Sequence, residues 1–197
     1  MSPRDLRIKR IFDLSLAIIG LVVSLPIIAI AWLIATVETK SNGFFVQERI
    51  GKDGKPFKII KIRTMYPVDG TTITTAKDSR ITKSGRIFRK LKIDELPQLI
   101  NIVRGEMSFV GPRPDVPGYA DRLEGEDRII LQVPPGITGP ASIKYKDEEE
   151  LLAKVSDPKR YNDEVIWPDK VRINKEYVRN WSLKKDIYYI LKTLKGS

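Results

Sequence analysis

Hydrophobic and polar positions along the chain fall into two regimes. From Leu14 to Val37 the sequence LSLAIIGLVVSLPIIAIAWLIATV carries no charged residue, and its only hydroxyl groups are Ser15, Ser24 and Thr36. At about 1.5 Å per residue such a run is long enough to cross a hydrocarbon layer of roughly 30 Å. A helix without a polar face predicts insertion in a membrane rather than burial in a soluble core. No small-residue cleavage motif follows, and the run is long for the apolar part of a signal peptide, so a cleaved leader is not expected. Pro26 sits in mid-run, where it removes one backbone hydrogen bond and clashes with the carbonyl of Val22, predicting a kink. Ser24 is placed to satisfy the freed backbone, which lipid cannot do. Arg4, Arg7, Lys9 and Arg10 precede the run and Lys40, Arg49, Lys52 and Lys55 follow it. Positive charge on both flanks favours a bent hairpin, with Ser24 and Pro26 at its bend, that enters and leaves by one leaflet. A kinked helix that spans the bilayer is the alternative.

Beyond the run the pattern changes. FFVQERIG and PFKIIKIRT read as two strands around Lys52-Asp53-Gly54-Lys55, and Asp-Gly between such runs signals a hairpin. Pro67 to Lys77 is a Thr-rich loop without periodicity. SGRIFRKLKI reads as a helix, with Ile87 and Leu91 at helical spacing and Arg86, Arg89 and Lys90 grouped on another side. DELPQLINIVRG predicts a short helix with Asp94 at its N-cap, Pro97 in its first turn and Gly105 at its stop. VGPRPDVPG and VPPGITGP read as proline-rich loops, and DEEELLAKV as an acidic helix. In SLKKDIYYILKTLK, Leu183, Ile187, Ile190, Leu191 and Leu194 form one apolar stripe flanked by lysines, which suits core packing or an anionic bilayer surface.

Composition then narrows the chemistry. The 197 residues include no cysteine and no histidine. Thiol nucleophiles, Ser-His-Asp triads and His-ligated zinc are thereby excluded. Carboxylates, Lys, Arg, Tyr or hydroxyl groups must carry any catalysis. The net charge of +10 is confined to the first part: residues 1–113 hold 20 Lys+Arg against 10 Asp+Glu, and residues 114–197 hold 15 against 15. Such a basic face serves nucleic acid, anionic lipid or a phosphorylated small molecule. Between Lys77 and Arg104 the sole aromatic is Phe88, which argues against a nucleic-acid reader, since those interleave aromatics with basic residues. No Walker or Rossmann phosphate loop is present.

Asp94-Glu95 is the candidate for catalysis. A carboxylate at a helix N-terminus has its anion favoured by the helix dipole, and the same place accepts phosphate. A carboxylate can also form a phosphoanhydride and so split one transfer into two. Arg80, Lys83, Arg86, Arg89, Lys90 and Lys92 lie upstream, and Arg113 stands between two prolines downstream. Arginine is the better bidentate phosphate ligand. Alone, however, D-E-x-P reads as readily as an ordinary cap, and the cations as a solvated face. A non-catalytic, membrane-bound module that holds anionic lipid or nucleotide is the competing interpretation.

The ordered series FFVQERIGKDGKPFKIIKIRTM, DSRITKSGRIFRKLKIDELPQLINIVRGEMSFVGPRP and PPGITGPA resembles the bacterial sugar transferase family, the monotopic phosphoglycosyl transferases. The resemblance implies a re-entrant membrane helix-hairpin and a two-step exchange with Mg²⁺ through an aspartyl phosphosugar. A UDP-sugar is the donor, UMP leaves, and undecaprenyl phosphate accepts the phosphosugar. It puts the catalytic pair on Asp94 and Glu95, with Asp94 as nucleophile and metal ligand. It puts phosphate-binding cations on Arg89 and Arg113, with Lys61, Arg63, Arg80 and Arg86 lining the same site. The expected architecture is α+β: a re-entrant anchor over residues 1–40, then a small, mostly helical domain over 41–197 with a β-hairpin and amphipathic surface helices. That domain is expected on the cytoplasmic face of the bacterial inner membrane, with a homodimer as an open alternative to a monomer. The order Ser24-Leu25-Pro26 departs from the adjacent Ser-Pro of familiar members, and the tail around IWPDKVRINKEYV is less familiar still.

Overall fold

The computed structural model describes residues 1–67 and 78–196, so the expected Thr-rich loop lies outside the described residues from position 68 on. The chain opens with α1 (Pro3–Thr39), a single helix that begins well before the apolar run. Its start is a capping box. The Asp5 amide donates to Ser2 Oγ at 3.2 Å, the Ser2 amide donates back to Asp5 Oδ2 at 2.8 Å, and Pro3 fills the first turn. The helix stops where Lys40 turns left-handed at φ 50°.

Pro26 lies inside α1 without ending it, so the apolar run forms one helix rather than two joined by a turn. A proline removes only the hydrogen bond its own N–H would donate, and the turns on either side can continue the ladder. Ser24 does not take up the expected role, because its hydroxyl is buried with no hydrogen-bond partner among the described residues. One stripe of α1 is buried: Lys9, Asp13, Ala17, Ser24, Ile28, Ala31, Ala35 and Thr39. These positions recur every three, four or seven residues, the spacing of a single helix face. The opposite face leaves Ile19, Val22, Val23, Leu25, Ile30, Leu33 and Val37 exposed. The helix therefore packs one side against its own domain and leaves an apolar side exposed.

The remainder packs on that stripe. The strands β1 (Phe44–Ile50) and β2 (Pro56–Ile62) form the expected antiparallel hairpin, with Phe45 opposite Lys61 and Arg49 opposite Phe57. Asp53 and Gly54 both take positive φ in its turn, which is why Asp-Gly occurs there. Next comes α2 (Lys83–Lys90). Thr82 Oγ1 accepts from the Gly85 amide at 2.9 Å, and Glu38 from the end of α1 accepts from the Lys83 amide at 2.9 Å. Thus α1 caps the helix it packs beside. A single turn at Ile93–Glu95 leads into α3 (Gln98–Arg104), which ends as expected on a left-handed Gly105. The helix begins at Gln98 with Pro97 in the cap position, so Asp94 is not its N-cap. Proline is comfortable at that entry, and the chain turns tightly before it rather than after it.

The two proline-rich loops contain more order than expected. β3 (Ser108–Val110) and β4 (Gly136–Thr138) pair in parallel. Short helices follow at α4 (Pro140–Lys144), α5 (Glu148–Leu152) and α6 (Pro158–Tyr161). The unfamiliar tail folds as α7 (Trp167–Arg179), which buries Val171, Asn174, Tyr177 and Val178 on one side. The terminal α8 (Leu183–Leu194) is capped by Ser182. Its apolar stripe does not fill the core: Ile187, Leu191 and Leu194 are exposed, while Tyr189 and Ile190 pack against Val110, Val133 and Tyr177.

Two buried polar knots fasten these pieces. Asn101 in α3 is fully buried; its Oδ1 accepts from the Ile60 amide at 3.1 Å and its Nδ2 donates to the Lys58 carbonyl at 2.8 Å. That fixes α3 to β2. Lys9 Nζ lies 2.6 Å from Asp186 Oδ2, and the Tyr177 hydroxyl and Trp181 Nε1 reach the same carboxylate at 2.7 and 3.0 Å. Buried charge is costly unless it is paired and bonded in this way.

Candidate active site

The carboxylate pair sits where α2 hands the chain to α3. Lys92 adopts a left-handed conformation, φ 58°, which reverses the chain into the turn at Ile93–Glu95. The turn is closed by hydrogen bonds that the Glu95 amide donates to the Lys92 carbonyl and the Leu96 amide to the Ile93 carbonyl, both 3.2 Å. Two adjacent carboxylates leave this turn with different surroundings. Glu95 Oε1 lies 3.2 Å from Lys61 Nζ, which β2 projects toward it. Asp94 is 9% exposed, and its Oδ1 is buried with no hydrogen-bond partner among the described residues.

The electrostatics follow this split. Burial would raise the Glu95 pKa, but Lys61, Arg113 and Lys92 outweigh it and hold the acid below its usual range. For Asp94, burial and the neighbouring Glu95 charge outweigh Lys61, Lys92 and Arg89, and the acid is pushed up. The expectation that a helix N-terminus favours the Asp94 anion is therefore not met. Asp94 is destabilised as an anion, which leaves it more basic than an ordinary aspartate.

Arg113 is presented by a crossing of two loops. The Gly111 amide donates to the Thr138 carbonyl at 2.9 Å and the Gly136 amide to the Pro112 carbonyl at 2.8 Å. The approach is so close that a Cβ on Gly136 would lie 2.1 Å from the Gly111 nitrogen. On the other side the Ile50 amide donates to the Asp115 carbonyl at 2.9 Å. The Pro-Arg-Pro backbone is thus pinned to β4 and to β1, and its arginine projects outward. Arg113 is exposed and makes no ion pair or hydrogen bond with the described residues.

The other cations divide. Lys61, Glu95 and Arg113 line one cleft. Arg89 stands beside the pair, its Nε donating to Thr64 Oγ1 at 2.9 Å, and its charge is felt by Asp94. Arg86 is exposed on α2. Arg63 donates to the Asn42 and Phe44 carbonyls at 2.7 and 3.3 Å and stacks near Phe45, so it fastens the start of β1. Arg80 is paired with Asp78 at 2.6 Å. None of the last three lines the cleft.

Sequence reasoning took Arg49 only as a flanking charge and passed over Gln98, yet both line the cleft with Lys61, Glu95 and Arg113. The period-two alternation of a hairpin carries the signal for Arg49. Phe45 lies opposite Lys61, so Gln47 and Arg49 share the face of Lys61.

No cluster of three or more metal-ligating side chains occurs among the described residues. Magnesium nonetheless needs only one or two carboxylates when phosphates complete its shell. The buried, unpartnered Asp94 Oδ1 fits one such ligand.

Residues 4–197 match the family profile described as bacterial sugar transferase. Among similar proteins, the UDP-glucose:undecaprenyl-phosphate glucose-1-phosphate transferase of Caulobacter vibrioides is 34% identical over 96% of this chain and 69% of its own length. The exopolysaccharide production protein ExoY of Sinorhizobium fredii is 32% identical over 94% of this chain and 83% of its own. The UDP-N-acetylgalactosamine-undecaprenyl-phosphate N-acetylgalactosaminephosphotransferase of Aeromonas hydrophila is 30% identical over 98% of this chain, which spans 44% of that longer protein.

Proposed function

The chain belongs to the bacterial sugar transferase family, and from that premise we propose that it transfers a phosphosugar from a UDP-sugar to undecaprenyl phosphate through an acyl phosphate on Asp94. It is a sugar-phosphate transferase, so the non-catalytic membrane module falls away. The observation that carries the mechanism is the contrast within the pair: Glu95 is held by Lys61 at 3.2 Å, while Asp94 Oδ1 has no hydrogen-bond partner among the described residues. A buried, underbonded carboxylate is poised to form a bond.

In the first step an Asp94 oxygen attacks the phosphorus that carries the sugar. The bond from that phosphorus to the bridging oxygen breaks, and UMP leaves with the bridging oxygen. In the second step an oxygen of undecaprenyl phosphate attacks the same phosphorus, and the Asp94–phosphorus bond breaks. The polyprenyl diphosphosugar forms and the carboxylate returns, with no net proton change at Asp94. Arg113 and Arg89 neutralise the charge on the phosphates, and Lys61 keeps Glu95 ionised beside them. Asp94 Oδ1 would hold Mg²⁺ together with the donor phosphates. Bound there, the ion would neutralise developing negative charge and orient the diphosphate.

The membrane reading rests on α1. Its start is fixed to the domain by Lys9 on Asp186 and its end by Glu38 on the α2 amides. A polar domain stays on one side of a bilayer, so a helix tied to it at both ends enters and leaves by one face. This supports a re-entrant anchor with the domain at the inner membrane's cytoplasmic surface. Exposed Ile87 and Leu91, and Ile187, Leu191 and Leu194 on α8, suit contact with that surface. The test of the reaction is the mass of the protein given donor and no lipid acceptor: it should rise by one phosphosugar, on Asp94, and fall back when undecaprenyl phosphate is added.

A further inference from the structure

Two side chains in the cleft have no role in the mechanism above. Arg49 projects from β1, and its guanidinium is steered by its neighbours. Nη2 donates to Gln47 Oε1 at 2.6 Å and Nη1 to the Pro114 carbonyl at 3.4 Å. Its Nε–H is buried and has no partner among the described residues. Gln98, the first residue of α3, is 2% exposed, and its amide makes no hydrogen bond with any described residue. Both line the cleft with Lys61, Glu95 and Arg113.

The Arg49 Nε–H is a donor stripped of water with no acceptor in return, which costs free energy. Like charge adds to it: burial and the nearby Arg113 guanidinium both disfavour the Arg49 cation. Two arginines, a lysine and a carboxamide thus line one small cleft whose one lining carboxylate among the described residues is already held by Lys61, and Asp115 behind it offsets the arginines only in part. An anion between Arg49 and Arg113 would relieve the repulsion and take the orphan donors. The guanidinium fork and the amide NH₂ both match phosphate oxygens.

Which phosphate fits follows from where the carboxylates lie. The phosphorus under attack must reach Asp94, but the carboxylate lining this cleft is Glu95. The cleft therefore suits the neighbouring phosphate of a diphosphate donor. We propose that Arg49 and Gln98, facing Arg113, form the subsite for the nucleoside-monophosphate phosphate of the donor, the group that leaves as UMP. The assignment rests on the transfer reading above. It makes Arg49 and Gln98 binding residues for the leaving group rather than members of the acyl-phosphate step itself.

The test measures UMP binding directly, by titration calorimetry on the detergent-solubilised full chain, with uridine as the phosphate-free control. Arg49→Ala should weaken UMP about tenfold or more, as befits a hydrogen bond to a charged group. Arg49→Lys should recover only part, because its ammonium is not a planar fork. Gln98→Leu should weaken UMP by about threefold to tenfold. Uridine affinity should be unchanged in all three. A second measurement charges the enzyme with donor, removes UMP and follows discharge by undecaprenyl phosphate. The acceptor phosphate must enter in line, opposite Asp94, where UMP left, so that rate should fall by a factor similar to the loss of UMP affinity. Wild-type UMP affinity in Arg49→Lys and Gln98→Leu would overturn the proposal, and these two variants decide if Arg49→Ala melts early. So would slower discharge with unchanged UMP binding, which would give the subsite to the acceptor phosphate alone. A wild-type protein that binds UMP in an Arg49-dependent way yet gains no phosphosugar would sink the transfer reading and leave the subsite standing.

Discussion

Lys61 Nζ stands 3.2 Å from Glu95 Oε1, and among the described residues no such cation bonds the buried Oδ1 of the adjacent Asp94. One acid of the pair is therefore neutralised and the other is kept short of partners, which divides their work. Asp94→Asn preserves shape and should fold. It should form no phosphosugar adduct and lower turnover at least about 10³-fold. Because it also removes an underbonded buried charge, it should melt higher than wild type, by about 2–4 °C for each kcal/mol relieved in a chain of this size. A lower melting temperature would mean that Asp94 is bonded in a way the geometry does not contain. Lys61→Met should release Glu95 and leave it buried without its cation, which should depress activity without abolishing the adduct.

The loop crossing that presents Arg113 gives a second test. A Cβ at Gly136 meets the Gly111 nitrogen at 2.1 Å and the Thr138 carbonyl oxygen at 2.5 Å. These are backbone atoms, so Gly136→Ala must part the two loops and swing the Pro-Arg-Pro backbone. Arg113→Ala should lower kcat/KM for the donor about 10²-fold. Gly136→Ala should approach that loss, and the double variant should be little worse than either alone, since both act through one guanidinium. Losses that multiply would separate the glycines from the arginine.

Asp115 supplies a pH test. Burial pushes its carboxyl up to about 6, against the opposing pull of Lys170, Arg113 and Arg49. Below that pH Asp115 is neutral, and Arg49 and Arg113 face the donor with their charge undiminished. Above it the carboxylate offsets them. KM for the donor should therefore rise as pH increases through about 6, and Asp115→Asn should flatten that rise. The folded pKa lies above the unfolded one, so Asp115 also lowers stability as pH climbs between the ordinary carboxylate range and about 6. Asp115→Asn should accordingly gain melting temperature at pH 7.5 and little at pH 4. A variant equally stabilised at both would place the gain outside this titration.

Local chemistry explains which parts of this fold could be read in advance. The β1–β2 turn depends on Asp53 and Gly54 tolerating positive φ, a property of those residues alone. Gly105 stops α3 for the same reason. The β3–β4 pair was invisible because each strand is three residues long, too short for a period, and parallel pairing joins segments far apart in sequence. In α7, Val171, Asn174, Tyr177 and Val178 do carry helical spacing, but the Trp167-Pro168 start resembles a loop. At the site, Asp94, Glu95, Lys61 and Arg113 were legible as charged residues in distinctive strings. Arg49 and Gln98 were not, because what marks them, the unpartnered Nε of Arg49 and the burial of Gln98 at the cleft, is revealed only by packing.

The anchor yields the last prediction, which couples topology to stability. Lys9 is 2% exposed and pairs with Asp186 at 2.6 Å, joining the first turns of α1 to α8. If α1 crossed the bilayer, Lys9 and Glu38 would face opposite compartments, and one of their contacts could not form. Lys9→Met should therefore cost about 3–5 kcal/mol in the folded, membrane-bound protein, the penalty of leaving Asp186 buried without its cation. Lys9→Met combined with Asp186→Asn should recover part of it, because the asparagine removes the buried charge and keeps an acceptor for Tyr177 and Trp181. In intact cells, cysteines at Ser2 and at exposed Lys159 should both resist a membrane-impermeant thiol reagent, and both should react once the cells are opened. Pro26→Leu restores the missing backbone bond and removes the ring that favours a bend. It should stiffen α1 and expose part of the Ser2 population to the outside reagent, and those molecules should lose the Lys9 stabilisation. Labelling of Ser2 from outside in the unaltered sequence, with the Lys9→Met penalty absent, would mean that the helix spans and that the contact between Lys9 and Asp186 does not hold in the membrane.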